Sequence, residues 1–286
     1  MSLLPVARRM LALTCLAMLA FVWPSSQASE PTALSVMESM FARMDSLRTL
    51  QFYLVNWERI EGKLMSGEQR VWLQTRPFQC YIYMIAPQRG AELLYAGPKT
   101  GGEAIYNPKG FPYMKINLDP MGETIRKNNH HTIFELGFQY LSDILRDLNN
   151  RNMLNVELEG VREVAGRNCT VIKATVPSFK TENHTVEKWE TLVSIARKKN
   201  LSEYMLMEMN PDTDDYEDVE AGQVIRIPSA YAQSFELAID NETRVPVEIS
   251  VFDAKGLFEK YLYKNVRINP FIPPATFSET NLGRIK

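Results

Sequence analysis

The apolar positions of this chain change period several times, and each change marks an element. Between 32 and 47, Leu34, Met37, Met40, Phe41, Met44 and Leu47 recur at steps of three and four, which predicts a helix with one apolar face. From Thr49 the step becomes two. LQFYLVNWERI and EQRVWLQT, joined through Glu61-Gly62-Lys63, predict a long antiparallel hairpin. CYIYMI, AELLYAG, EAIYN and YMKINL add strands separated by Pro- and Gly-bearing pairs such as Ala86-Pro87, Gly101-Gly102 and Asn107-Pro108. These pairs favour turns because glycine reaches positive φ and proline fixes φ. A second helix is predicted from Thr132 to Asn149, with Ile133, Leu136, Tyr140, Leu141, Ile144 and Leu148 along one side. Strands return in NVELEGVREV, NCTVIKATV, QSFELAID, VPVEISVFD and LFEKYLYKNVRI, and a tail with Pro270, Pro273 and Pro274 ends the pattern.

Strand runs with two amphipathic helices point to an α+β fold, a curved antiparallel half-barrel sheet with lid helices over its concave face. A Met-rich helix over such a sheet suits a ligand cavity or a filled core, and periodicity does not separate the two.

Residues 182–228 break the strand pattern. His184-Thr185-Val186 reads as a short strand, Thr191 as the cap of a helix at 192–199, Ser202 as the cap of another at 203–209, Asn210-Pro211 as its stop, and Gln223 to Ile227 as a closing strand. In such a βααβ unit the outer strands lie side by side, so its ends adjoin and it fits into a loop of a host domain. The chain therefore divides into 1–28, a discontinuous host domain of 29–181 and 229–286, and the insert 182–228.

The insert resembles a LysM domain, a module that binds N-acetylglucosamine-containing glycans such as peptidoglycan. The resemblance rests on Thr185-Val186, Thr191-Leu192, Ser194-Ile195-Ala196, Leu201-Ser202, Leu206, Met209-Asn210-Pro211 and Gly222 to Pro228. It implies a shallow glycan groove between the loop at Trp189, Glu190 and Thr191 and the loop that begins at Asn210 and Pro211. The family usually has Gly-Asp where this chain has Trp189-Glu190, so Trp189 either blocks the groove or stacks on a sugar ring. The host resembles an exported bacterial family, domain of unknown function 1571. It does so through FQCYIYMIAP, ELLYAG, NLDPMGETIRKNNHHTIFELGFQYL, GRNCTVIKA and YLYKNVRIN. That family is related in fold to the LolA/LolB-type lipoprotein carriers, which implies an open half-barrel over an apolar cavity and a lipid or lipoprotein as partner.

Processing and charge narrow the setting. Arg8-Arg9, an apolar run from Met10 to Val22 and Ser26-Gln27-Ala28 have the form of a cleavable export signal, which implies a periplasmic or secreted protein. The run is shorter than the ~20 residues that span a bilayer. The formal charge of −2 and the lack of a basic stripe exclude nucleic acid as a partner. The insert holds eleven acids against five bases, net −6. Its second loop, PDTDDYEDVEAG, has Glu217 and Gln223 where a calcium loop counted from Asp212 needs Gly and Glu, so a solvated acidic loop is expected. Cys80 and Cys169 both sit in strands of an exported chain, and a disulfide between them is expected; it would close a loop worth up to ~4 kcal/mol.

No nucleophile elbow, zinc spacing or phosphate loop is present, and His130-His131 is a poor metal pair by itself. The expectation is a non-enzymatic envelope protein without cofactor or metal. A wall-associated interaction protein with a degenerate LysM unit, and a peptidoglycan hydrolase, are the alternatives.

Overall fold

The computed structural model describes residues 31–111, 113–213 and 215–284; the expected export signal at 1–28 lies outside the described residues. The strands are β1 Thr49–Ile60, β2 Lys63–Thr75, β3 Phe78–Ala86, β4 Glu92–Tyr95, β5 Ala104–Asn107, β6 Ile116–Leu118, β7 Asn155–Val164, β8 Arg167–Thr175, β9 Thr181–Thr185, β10 Val224–Pro228, β11 Ser234–Asp240, β12 Pro246–Asp253 and β13 Gly256–Ile268. The helices are α1 Ala33–Asp45, α2 Glu123–Arg126, α3 Gln139–Asn150, α4 Leu192–Lys199 and α5 Glu203–Met209. Among the described residues, eleven strands form one antiparallel sheet in the order β6-β5-β4-β3-β2-β1-β13-β12-β11-β8-β7, while β9 and β10 pair separately. The sheet is curved and does not close, so its two faces have different covers.

Strand alternation assigns the faces. Leu50, Phe52, Leu54, Val71, Leu73, Cys80 and Ile82 point to the concave side, where α1 and α3 lie in the main core. Helix α1 starts at Thr32, whose Oγ1 accepts from the Ser35 N–H at 3.1 Å, and it buries Val36, Met37, Met40, Phe41 and Met44. Leu34, expected on that face, is turned outward at 45 % exposure. On the other face Tyr81, Leu94, Ala96 and Ile105 are covered by Phe277 and Leu282 of the tail. Glu92, buried beside them, accepts from Gly283 N and Asn107 Nδ2, each at 2.6 Å. The proline-bearing tail is thus a strap rather than loose chain.

The single helix expected from 132 to 149 is divided. Thr132 and Glu135 form a capping box on a 3-10 turn at Ile133–Glu135, and α3 begins only at Gln139. Gly137 lies between them with φ +96, and a Cβ there would stand 2.9 Å from Leu73 Cδ2. The left-handed backbone and the close approach to β2 both require glycine, and a helix cannot pass through that conformation.

The expected Cys80–Cys169 disulfide is not formed; both thiols are free and buried. Cys80 is in β3 among the concave core, whereas Cys169 is in β8 with Val171, Ala238 and Val247 on the opposite face. Six inter-strand steps separate β3 from β8, about 29 Å at ~4.8 Å each. A bridge allows no more than ~7 Å between Cα atoms. Both cysteines do lie in strands, as expected, but face and strand order keep them apart. Burial pushes the Cys80 thiol up to about 12, which leaves it inert.

The insert leaves the main ladder intact. β8 and β11 pair directly from Thr175↔Ser234 to Cys169↔Asp240, on either side of the excursion. Val186, Leu192, Ile195, Ala196, Leu201, Leu206, Ile225 and Ile227 form its own small core. It is not free-standing, however: Tyr204 and Met205 of α5 belong to the main core. The Tyr204 hydroxyl accepts from Glu61 N at 2.8 Å in the β1–β2 turn. Buried ion pairs Arg126–Glu203 and Arg59–Glu208 flank this contact.

Candidate functional site

A cavity of about 320 Å³ lies between the concave face and the segment that carries α2, the 3-10 turn and the start of α3. Leu54 of β1, Ile82 and Met84 of β3, Leu93 of β4, Leu118 of β6 and Ile249 of β12 give it apolar walls, and Ile125, Ile133 and Leu136 close it from the other side. Its volume lies at the lower end of the ~300–1,000 Å³ usual for small-ligand sites.

One end of the cavity is polar. Glu58 of β1 and Glu259 of β13 stand opposite each other in register, both buried and both on the concave face. The Tyr231 hydroxyl donates to Glu259 Oε1 at 2.8 Å. The Tyr261 hydroxyl donates to Glu58 Oε1 at 2.7 Å and lies 3.1 Å from Glu259 Oε2. His130 Nδ1 and His131 Nε2 approach that same Oε2 at 2.9 and 3.1 Å. The His130 backbone N–H donates to Glu58 Oε2 at 2.9 Å, and its Nε2 donates to the Arg59 carbonyl at 3.0 Å. A buried carboxylate without such partners would cost several kcal/mol, so the donor set is what allows two of them here.

The charges follow from these contacts. Burial alone would push the Glu259 carboxyl up, but the His131 charge and the hydrogen bonds of both histidines outweigh it and hold the group well below the usual carboxylate range. Burial likewise works against a charged His131, yet the negative charge and hydrogen bond of Glu259 raise it to about 9. Burial, reinforced by Glu259, raises Tyr231 and Tyr261 far above the ordinary tyrosine value, so both remain O–H donors. The result is an ion pair set into one end of a chamber that Asn56, Gln69, Thr124, Lys127 and Asn129 line together with the apolar walls.

The sequence offers His130 and His131 as a poor metal pair, whereas the structure places both on Glu259. Glu58 and Glu259 were missed, although a signal existed. In LQFYLVNWERI, Glu58 has the same parity as Leu50, Phe52 and Leu54, and Glu259 shares that of Tyr261 and Tyr263 in LFEKYLYKNVRI. A carboxylate on the inward parity of a strand demands a buried partner.

The five residues assigned to a glycan groove serve different ends. Trp189 is 86 % exposed, with the Lys188 ammonium 5.0 Å from its ring centroid, and its backbone has φ +71. That left-handed conformation is the one a glycine would supply at no steric cost. Glu190 Oε2 accepts from His184 Nε2 at 2.8 Å and from Glu187 N at 3.0 Å, and Oε1 accepts from Lys198 at 3.2 Å. The Glu187 N–H first, then His184, lower its pKa to about 2. Thr191 caps α4 through Ser194 N at 3.1 Å. Asn210 ties α5 to β10, donating to Leu206 O at 2.7 Å and Arg226 O at 2.8 Å and accepting from Arg226 N at 2.8 Å. Pro211 is exposed. Glu190, Thr191 and Asn210 thus spend their side chains on loop shape, while Trp189 and Pro211 present outward surface. The acidic second loop folds back on the unit: Tyr216 O accepts from Leu192 N at 3.0 Å, and the Tyr216 ring lies 4.7 Å from the Arg126 guanidinium.

The family model described as "Protein of unknown function (DUF1571)" matches residues 48–199, and the LysM domain model matches residues 184–228. Comparison with curated proteins gives no match. Among solved structures, the lipoprotein LppX of Mycobacterium tuberculosis is similar at 10 % identity and a TM-score of 0.44, over 85 % of this chain and 99 % of that one. A LolA superfamily protein of Nitrosomonas europaea is similar at 10 % identity and a TM-score of 0.33, over 88 % and 99 %. A DUF1329 family protein of Desulfovibrio piger is similar at 9 % identity and a TM-score of 0.33, over 88 % and 99 %.

Proposed function

The chain belongs to the DUF1571 family and carries a LysM domain within it, and from that premise we propose that it is a non-enzymatic binding protein of the cell envelope. The half-barrel takes an apolar ligand, a lipid or the acyl part of a lipoprotein, and the LysM domain holds it to an N-acetylglucosamine glycan such as peptidoglycan. The observation that carries this reading is the 320 Å³ chamber with apolar walls between the sheet and its lid segment. A filled core would have left no such space, since interiors normally pack at crystal-like density.

The glycan half of the proposal draws on Trp189. An indole 86 % exposed has no packing role of its own and suits the apolar face of a sugar ring. With net charge −6, residues 182–228 repel an anionic wall polymer, so retention should rise with ionic strength.

Two measurements test the two halves. Organic extraction of the purified protein followed by lipid mass spectrometry should recover a stoichiometric apolar compound; clean protein would remove the ligand. Co-sedimentation with insoluble peptidoglycan should retain the protein and release Trp189→Ala. If the unmodified protein stays in solution, the internal use of Glu190, Thr191 and Asn210 favours the second reading, an interaction protein whose LysM unit no longer binds glycan.

A further inference from the structure

The polar end of the chamber says which kind of head group it receives. We propose that the ligand is a single-chain acyl amphiphile whose carbonyl end accepts hydrogen bonds from His131 and Tyr140; this rests on the reading of the chamber as an apolar ligand site.

The argument is an accounting of donors and acceptors. Glu58 and Glu259 each have both oxygens engaged, by Tyr261 and His130 N in one case and by Tyr231, His130 and His131 in the other. Tyr263 donates to Gly137 O at 3.2 Å. The carboxylate oxygens at this end of the chamber are therefore engaged by the protein's own donors. What is left over faces the other way. His131 uses Nε2 for Glu259, and Nδ1 has no protein partner among the described residues; neither has the Tyr140 hydroxyl. Both side chains line the chamber. Among the described residues the fully buried groups without a partner are Arg59 Nε and Ser142 Oγ, so both His131 Nδ1 and the Tyr140 hydroxyl keep accessible area on side chains that line the chamber. The two rings are 5.4 Å apart between centroids, in an edge arrangement, close enough to share one acceptor group.

His131 is held charged by Glu259, which makes Nδ1 an N–H rather than a lone pair. The other ionisable groups around it are Glu58, Glu259 and Glu135, the neutral Tyr231 and Tyr261, His130, and Lys127 on the lid segment. Glu135 is turned to Thr132, whose N–H it accepts at 2.7 Å. An ammonium or other donor head would thus meet N–H and O–H groups, whereas an acyl oxygen meets two free donors. A chamber at the lower end of the usual ligand range has room for one chain rather than a diacyl lipid.

The test is titration of the full exported chain with laurate, methyl laurate and dodecylamine, read by displacement of an apolar fluorophore. The expected result is binding of laurate, methyl laurate or both at least tenfold tighter than dodecylamine, with the preference lost in Tyr140→Phe and in His131→Phe. Tyr140→Phe removes only an unbonded hydroxyl and so isolates the contact even if His131→Phe disturbs Glu259. Laurate alone above the amine identifies a free fatty acid; methyl laurate equal to laurate identifies an acyl ester. Equal affinity for all three compounds, or an unchanged preference in Tyr140→Phe, overturns the head-group assignment while leaving the apolar site. No displacement by any compound overturns the reading of the chamber as a ligand site.

Discussion

His130 stacks on Tyr204 at 4.5 Å between ring centroids and 20° between planes, and on Phe258 at 4.1 Å. The contact joins α5 of the LysM domain to the residue that also holds Glu259 at the polar end of the chamber. The two parts of the molecule therefore share a core at this point.

Tyr204→Ala should destabilise the whole chain by about 3–5 kcal/mol, the usual cost of deleting a buried aromatic. Tyr204→Phe, which removes only the bond from Glu61 N, should cost about 1 kcal/mol. Denaturant unfolding followed by circular dichroism and by tryptophan fluorescence should give one coincident transition in each protein. Two separated transitions would show that the insert melts alone and that the shared core contributes little.

Trp189→Gly should part stability from binding. Its φ of +71 carries a strain of roughly 1–2 kcal/mol that glycine relieves, partly offset by glycine's greater freedom when unfolded. Stability should stay level or rise by up to about 1 kcal/mol while peptidoglycan retention is lost. A gain in both would identify the indole as an obstruction.

Stability should depend on pH at both ends. Glu190 is lowered from 4.5 to about 2, so its contribution is complete above about 4.5 and disappears as pH falls through about 2. His131 is raised from 6.5 to about 9, so its contribution is complete below about 6.5 and disappears as pH rises through about 9. A profile of Tm against pH should fall on both sides of that interval. His131→Gln should flatten the alkaline side; an alkaline limb that persists unchanged would assign it to other groups.

Gly137→Ala should cost about 1–3 kcal/mol, since its φ of +96 is strained for any L side chain and the new methyl meets Leu73 at 2.9 Å. Because Gly137 lines the chamber, apolar-probe binding should weaken with it. A neutral thermal shift would show that the turn before α3 relaxes freely.

Reductant should leave Tm unchanged, and both thiols should resist alkylation until the chain unfolds, because Cys80 and Cys169 are free and buried on opposite faces. A drop in Tm with dithiothreitol would contradict the strand order.

What the sequence determined by itself is everything that depends on neighbours a few residues apart. Alternation from Thr49 onward specified strands, the three-four spacing specified α1, and Thr191, Ser202 and Asn210-Pro211 specified the limits of the insert's helices, because pleat, helical turn and cap are local geometries. Only the tertiary structure decided what lies beside what. Cys80 and Cys169 read alike as strand cysteines, yet parity and strand order put a sheet's thickness and five strands between them. Gly137 divided a helix because Leu73, 64 positions earlier in the chain, leaves no room for a side chain. Glu58 and Glu259 became the polar end of the chamber because β1 and β13 pair across some two hundred residues. Long-range contacts of this kind are set by burial, which acts on the folded surface as a whole and leaves only a parity mark on the strand that carries the residue.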